Sequence, residues 1–371
     1  MTSGESNLTA GSRGDAQERR APSTRTLGFI KQPAGWKRMR KNCLRLVFVL
    51  LGFCFAVEAA SSSDVGYRRI EVQDTVMGER FSVAIWYPTS AQPSMLTFGP
   101  YSMRVARAAA PTDGKFGLIV ISHGSGGDAL AHRDLAMALA SAGYVVAAPM
   151  HPRDHFQDSS GVGSVSVWAG RPRQVARVID RILEDQALGP HIERERIGVV
   201  GHSAGGYTAL AVGGVQPSMN ALNQHCKEIP DDTRLCFFGG AAAREASRKG
   251  GDIPDVRDPR VRAIVLLAPV AALFTDDALS NLAIPVRIYG AELDDLTPVR
   301  YHAGRLAKAL APGAEYVLIK GAGHYSFIAS FPDALRSSVG EAGRDPSGFD
   351  RNAMHETLNP EIVAFFNRTL K

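Results

Sequence analysis

Hydrophobic positions along the chain fall into two patterns. Tyr67 to Val72 and Phe81 to Tyr87 alternate apolar and polar residues, the period of a strand with one wet face. Further on, apolar residues come in short continuous runs: Gly117 to Ser122, Tyr144 to Ala148, Ile197 to Val200, Val261 to Leu267, Val286 to Gly290 and Tyr316 to Lys320. Such runs are expected of strands covered on both faces. Between them the spacing becomes helical, over about Ala129 to Ala142, Arg173 to Asp185, onward from Ala204, about Pro298 to Ala311 and about Pro360 to Leu370. In Arg173 to Asp185 the residues Val175, Val178, Ile179, Ile182 and Leu183 share one face. Strand and helix in alternation predict an α/β chain with a mostly parallel central sheet flanked by helices. Residues 214–260 read as a loop-rich, lid-like insertion after the helix that begins at Ala204. No internal repeat is visible.

The front of the chain departs from this pattern. Residues 1–42 are rich in Ser, Gly, Thr, Arg and Pro, and Lys37-Arg38-Met39-Arg40-Lys41 is a basic cluster. An almost wholly apolar run from Cys43 to Val57 follows, then Val57-Glu58-Ala59-Ala60-Ser61. Basic stretch, short apolar stretch and Val-x-Ala site describe a secretory signal, so residues 1–59 are expected to be extension plus signal and 60–371 the catalytic domain. A start at Met39 would give a signal of ordinary length. The apolar run is short for a membrane span, and no stable span is expected after cleavage. Secretion or a periplasmic location follows.

Composition changes the picture in two places. The first 59 residues carry ten of the 42 Lys and Arg and four of the 37 Asp and Glu, so the body is nearly neutral despite a formal charge of +5. That speaks against a nucleic-acid partner. Of the four cysteines, Cys43 and Cys54 lie in the signal-like run, leaving Cys226 and Cys236 in a polar loop. In an oxidising compartment this pair is expected to form a disulfide rather than a metal site.

The candidate chemistry sits at the ends of the apolar runs. Val199-Val200-Gly201-His202-Ser203-Ala204-Gly205-Gly206 reads as strand, tight turn and helix, and Gly-x-Ser-x-Gly lifts Ser203 above the sheet as a nucleophile. A serine hydroxyl needs a base, and the base needs a carboxylate to fix its tautomer. Ala291-Glu292-Leu293-Asp294-Asp295 and Gly321-Ala322-Gly323-His324-Tyr325 follow two later strands, giving the order Ser, Asp, His. Asp294 is favoured over Asp295 because it stands nearer the strand end. The oxyanion is expected on the amides of Ala204 and Ser125, the latter in His123-Gly124-Ser125-Gly126-Gly127. His151, Trp168 and Tyr325 are candidates for the substrate pocket. His151 and His155 are four residues apart, but Pro152 argues against a metal-binding helix, and no metal or cofactor is expected. Arg133 and Asp134 are read as a pair bracing the first loop.

At these residues the chain resembles the α/β-hydrolase superfamily. His123-Gly-Ser-Gly-Gly, His132-Arg133-Asp134-Leu135, Gly201-His-Ser-Ala-Gly-Gly, Asp294 and Gly323-His324 are similar to bacterial hydrolases of the dienelactone hydrolase and platelet-activating-factor acetylhydrolase group. The likeness covers roughly residues 66 to 370. It implies an α/β-hydrolase fold and a serine ester hydrolase with a covalent acyl-enzyme, acting on a small-molecule or lipid ester. Dienelactone hydrolases carry cysteine where this chain has Ser203, which argues against lactone opening of that kind. Lipase, phospholipase or polyesterase activity is the alternative, ahead of an amidase, a peptidase or a silent binding module.

Overall fold

The computed structural model describes residues 63–74, 78–238 and 253–371. The signal-like segment and part of the insertion therefore lie outside the described residues. Ala60–Lys371 forms one compact unit.

Among the described residues ten strands make one sheet: β1 (Asp64–Gln73), β2 (Arg80–Thr89), β3 (Ser94–Phe98), β4 (Tyr101–Arg107), β5 (Phe116–Ser122), β6 (Tyr144–Pro149), β7 (Ile192–His202), β8 (Val261–Leu267), β9 (Val286–Ala291) and β10 (Ala314–Ile319). Their order is β10-β9-β8-β7-β5-β6-β2-β1-β4-β3. Strands β10 through β6 run parallel, and β2 is antiparallel to both β6 and β1. The expected mostly parallel α/β architecture is what the chain adopts.

The continuous apolar runs are the strands with two covered faces. Every residue of β5 is buried; Leu118 and Val120 enter one core, Ile119 and Ile121 the other. Helices α2 (Val165–Leu183) and α3 (Ala204–Val212) cover the first face. Helices α1 (Arg133–Ser141) and α6 (Arg351–Thr369) cover the second. Between these in the chain lie α4 (Met219–Glu228) and α5 (Ala303–Ala309).

Two helix starts are corrected. Helices predicted to begin at Arg173 and Pro360 begin at Val165 and Arg351, with Pro172 and Pro360 inside them. Ser164 Oγ accepts from the Val167 amide, and Asp350 accepts from the amides of Asn352 and Ala353, so the caps lie well upstream. Packing of Leu358, Ile362, Phe365 and Phe366 against the sheet carries α6 past its proline. Strands β3 and β4 were not foreseen. Yet Tyr101, Met103 and Val105 are buried and Ser102 and Arg104 exposed, an alternation that the sequence displays.

Candidate active site

Ser203 stands where β7 turns into α3. Its backbone has φ 54 and ψ −117, a conformation that L-residues adopt only under constraint. The constraint is close packing of backbone on backbone. A Cβ on Gly201 would lie 1.9 Å from the Gly205 carbonyl oxygen, and one on Gly205 would lie 1.9 Å from that of Ser122. Glycine at both positions is thus a steric demand. The turn is tied to its neighbours by the Ser203 amide donating to Leu267 O and the Val270 amide donating to Ser203 O, both at 3.0 Å.

After β9, Asp294 is buried and accepts from four donors. The amides of Leu296 and Thr297 donate to Oδ1 at 3.0 and 2.8 Å, and Thr297 Oγ1 donates to Oδ2 at 2.9 Å. The fourth comes from His324 Nδ1, 2.9 Å from Oδ2. A carboxylate can only accept, so Nδ1 carries the hydrogen and Nε2 is left as a base. Asp295 instead points outward to Arg234 at 2.6 Å, which separates the two adjacent acids.

Ser203, Ser125, Ala204 and Thr297 line one small pocket, together with Trp168, Arg234, Leu235, Phe238, Val270 and Leu296. The amides of Ser125 and Ala204 donate to no other group among the described residues, leaving both available. Ser203 Oγ likewise has no hydrogen bond among the described residues, to His324 Nε2 included. Such contacts commonly tighten only when substrate is bound. A larger cleft, lined by Phe331, Arg336, Arg344 and Phe349, contains none of these residues.

Of the pocket candidates, Trp168 lines the cavity. His151 does not: it is fully buried, its Nε2 2.8 Å from Ser122 Oγ and its Nδ1 2.6 Å from Gln174 Oε1. Tyr325 also lies outside the lining and sets its ring edge-on to His324, with centroids 5.2 Å apart. The expected Arg133–Asp134 pair is not formed. Arg133 lies over the Tyr101 ring at 4.4 Å, and Asp134 accepts from His355 Nδ1. Burial pushes the Asp134 carboxyl up, but His355 outweighs this and holds it at about 2.

Several supports of the site were not read from the sequence. His202 donates from Nε2 to the His324 carbonyl at 3.0 Å, so the residue before Ser203 fixes the backbone of His324. His355 donates from Nε2 to Ser326 O at 2.8 Å, pinning the same loop to α6. Burial lowers the pKa of His132 to about 4 and those of His123, His151 and His202 well below the ordinary histidine value. Nearby Arg171 adds to the effect at His123 and His151, and His324 adds to it at His202.

Cys226 and Cys236 are joined as a disulfide. Between them Asp232 Oδ2 accepts from His225 Nε2 at 2.6 Å and from His302 Nε2 at 2.9 Å. Arg234 and Leu235 of this segment, and Phe238 just after it, line the pocket.

Comparison with known proteins gives two findings. A family model for platelet-activating factor acetylhydrolase, isoform II, matches residues 95–162. That stretch holds the Ser125 loop and none of Ser203, Asp294 and His324. Among solved structures, a ferulic acid esterase from Streptomyces cinnamoneus superposes with a TM-score of 0.55 at 20% identity, over 83% of this chain and 89% of that one. The chain has the α/β-hydrolase fold. With 1014 solved chains matching, the fold is common and does not name a substrate. No curated protein matches.

Proposed function

We propose that the chain is a serine carboxylic-ester hydrolase acting through Ser203, His324 and Asp294. The observation that carries this reading is the strained Ser203 at a strand-to-helix turn, sharing a pocket with two free amides while a histidine oriented by a carboxylate stands beside the turn. Both the matching family and the similar structure are named for ester cleavage. Ser203 Oγ attacks the ester carbonyl and its proton passes to His324 Nε2. The oxyanion so formed accepts from the Ser125 and Ala204 amides, each worth about 3 kcal/mol to the transition state. His324 then protonates the departing alcohol, and a water that it deprotonates releases the acyl group.

Residues 60–371 are the catalytic domain in this reading, and the disulfide segment of the insertion acts as a lid. The signal-like stretch would export the protein outside the cell or to the periplasm. The disulfide favours an oxidising compartment, and among the described residues no helix is long and apolar enough to cross a membrane. The family match favours a platelet-activating-factor-type acetyl ester as the second reading.

The test is hydrolysis of p-nitrophenyl esters from acetyl to palmitoyl by the full chain, with Ser203→Ala and Asp294→Asn beside it. Ser203→Ala is expected to abolish turnover, and Asp294→Asn to lower kcat by about 10⁴-fold through the wrong histidine tautomer. The preferred chain length separates a small-ester esterase from a lipase. A folded chain inactive on every ester, or a Ser203→Ala chain with full activity, rejects the proposal.

A further inference from the structure

Arg171 and Asp154 form an ion pair at 2.6 Å with both side chains 1% exposed. Burying such a pair gains little over apolar packing of the same volume, so its presence calls for a reason other than stability. The reason lies in what the pair holds. Arg171, on α2, donates from NH1 to Asp154 Oδ2, from Nε to Thr208 Oγ1 at 3.1 Å, and from NH2 to Ser122 Oγ at 3.2 Å and to the His123 carbonyl. Asp154 in turn accepts from Ser125 Oγ at 3.1 Å and from the Gly126 amide at 3.3 Å. Thr208 Oγ1 donates to the Ala204 carbonyl at 3.0 Å.

The ion pair therefore grips the loop after β5 on both sides of Ser125, Arg171 at Ser122 and His123 and Asp154 at Ser125 and Gly126, and through Thr208 the first turn of the helix after β7. The two free amides sit on these two separate elements. Their spacing must match a single oxyanion, and a planar guanidinium with a fixed fork of donors sets angles that a lysine does not.

We propose that Arg171 and Asp154 are the positioning pair of the oxyanion hole, fixing the Ser125 amide relative to the Ala204 amide. The inference rests on the serine-hydrolase reading above. Neither side chain touches substrate. Both act through the amides, so their loss weakens transition-state binding and leaves ground-state binding nearly unchanged.

The experiment compares the full chain with Thr208→Val, Thr208→Ser, Arg171→Lys and Arg171→Met. It reads kcat and KM on p-nitrophenyl acetate, the fraction of sites labelled by a fluorophosphonate, and Ki for a trifluoromethyl ketone, whose adduct places its oxyanion in the hole. Per labelled site, kcat is expected to fall about 10-fold in Thr208→Val and about 100-fold in both Arg171 variants, with KM changed less than about twofold. Ki should rise in step with the loss of kcat/KM, and Thr208→Ser should restore the parental rate. Should the Arg171 variants not fold, the two Thr208 variants decide alone.

A merely structural pair would lower the labelled fraction and leave each remaining site at the parental rate. That result, or a Ki that stays constant while kcat falls, overturns the inference. A parent chain that takes no fluorophosphonate and cleaves no ester overturns the serine reading beneath it instead.

Discussion

The two sides of the pocket are held by different forces. On the side of β5 and β7 the contacts are buried: backbone against backbone at Gly201 and Gly205, the Arg171–Asp154 pair, and the buried histidines His123, His151 and His202. On the side of the disulfide segment, Arg234 reaches Asp295 and Glu341 at 2.6 Å each through exposed carboxylates, and Arg300 reaches an exposed Asp231. Ion pairs in water contribute little, whereas a buried polar group deprived of its partner is costly. The first side can therefore hold amides in fixed register for chemistry. In the proposed reading the second, held by weak surface pairs around a buried Asp232, is the side expected to move and admit substrate.

Four measurements sharpen or break this contrast. The largest effect is expected from Gly201→Ala, whose methyl meets backbone that has nowhere to go; a loss of at least about 3 kcal/mol, with no active protein, should appear in denaturant unfolding. Full stability and activity in that variant would remove the steric account of the turn.

Acid comes next. His132 has its folded-state pKa lowered to about 4, and His123, His151 and His202 are lowered as well, while the unfolded chain binds these protons near pH 6.5. The unfolded state then holds more protons, so stability falls as pH drops below about 6.5, by up to about 1.4 kcal/mol per pH unit for each such histidine. For His132 the loss ends near pH 4. Denaturant midpoints at pH 7.5 and 5.5 measure it, and equal midpoints would contradict the buried neutral state.

Reducing the disulfide, whose cysteines are 10 residues apart, should cost about 2 to 3 kcal/mol. Fluorophosphonate labelling of Ser203 is expected to survive, because Cys226 and Cys236 belong to the other side; loss of labelling together with the melting shift would join the two sides into one. The smallest effect is that of Arg234→Ala, less than about 1 kcal/mol in melting experiments. Raising salt on the parent should mimic it. A salt-independent loss of several times that size would make this side as rigid as the first.

The candidate site was legible to unequal depths. Ser203 and His324 stand out in the sequence because each follows a continuous apolar run, and in the structure the carboxylate that His324 Nδ1 meets is Asp294. His151 was misplaced for a physical reason. Its loop follows β6 at the site's edge, but which way a loop histidine turns depends on partners distant in sequence, here Ser122 and Gln174. Asp134 found His355 rather than Arg133 in the same way. The helices over Pro172 and Pro360 begin earlier than the apolar spacing indicated because tertiary packing carries each of them through its proline.

By itself the sequence determined the α/β alternation, the glycines that Ser203 requires and the order Ser, Asp, His. These are local properties, fixed by side-chain period and by sterics within a few residues. Tertiary structure alone decided that Arg171, on a helix read as beginning two residues later, would join the Ser125 loop to the helix after Ser203. It also decided that His202 would hold His324 and that Leu235 and Phe238 would line the pocket. Each of these contacts joins residues far apart along the chain, and their meeting is set by how helices pack on a twisted sheet, which no pattern along the chain records.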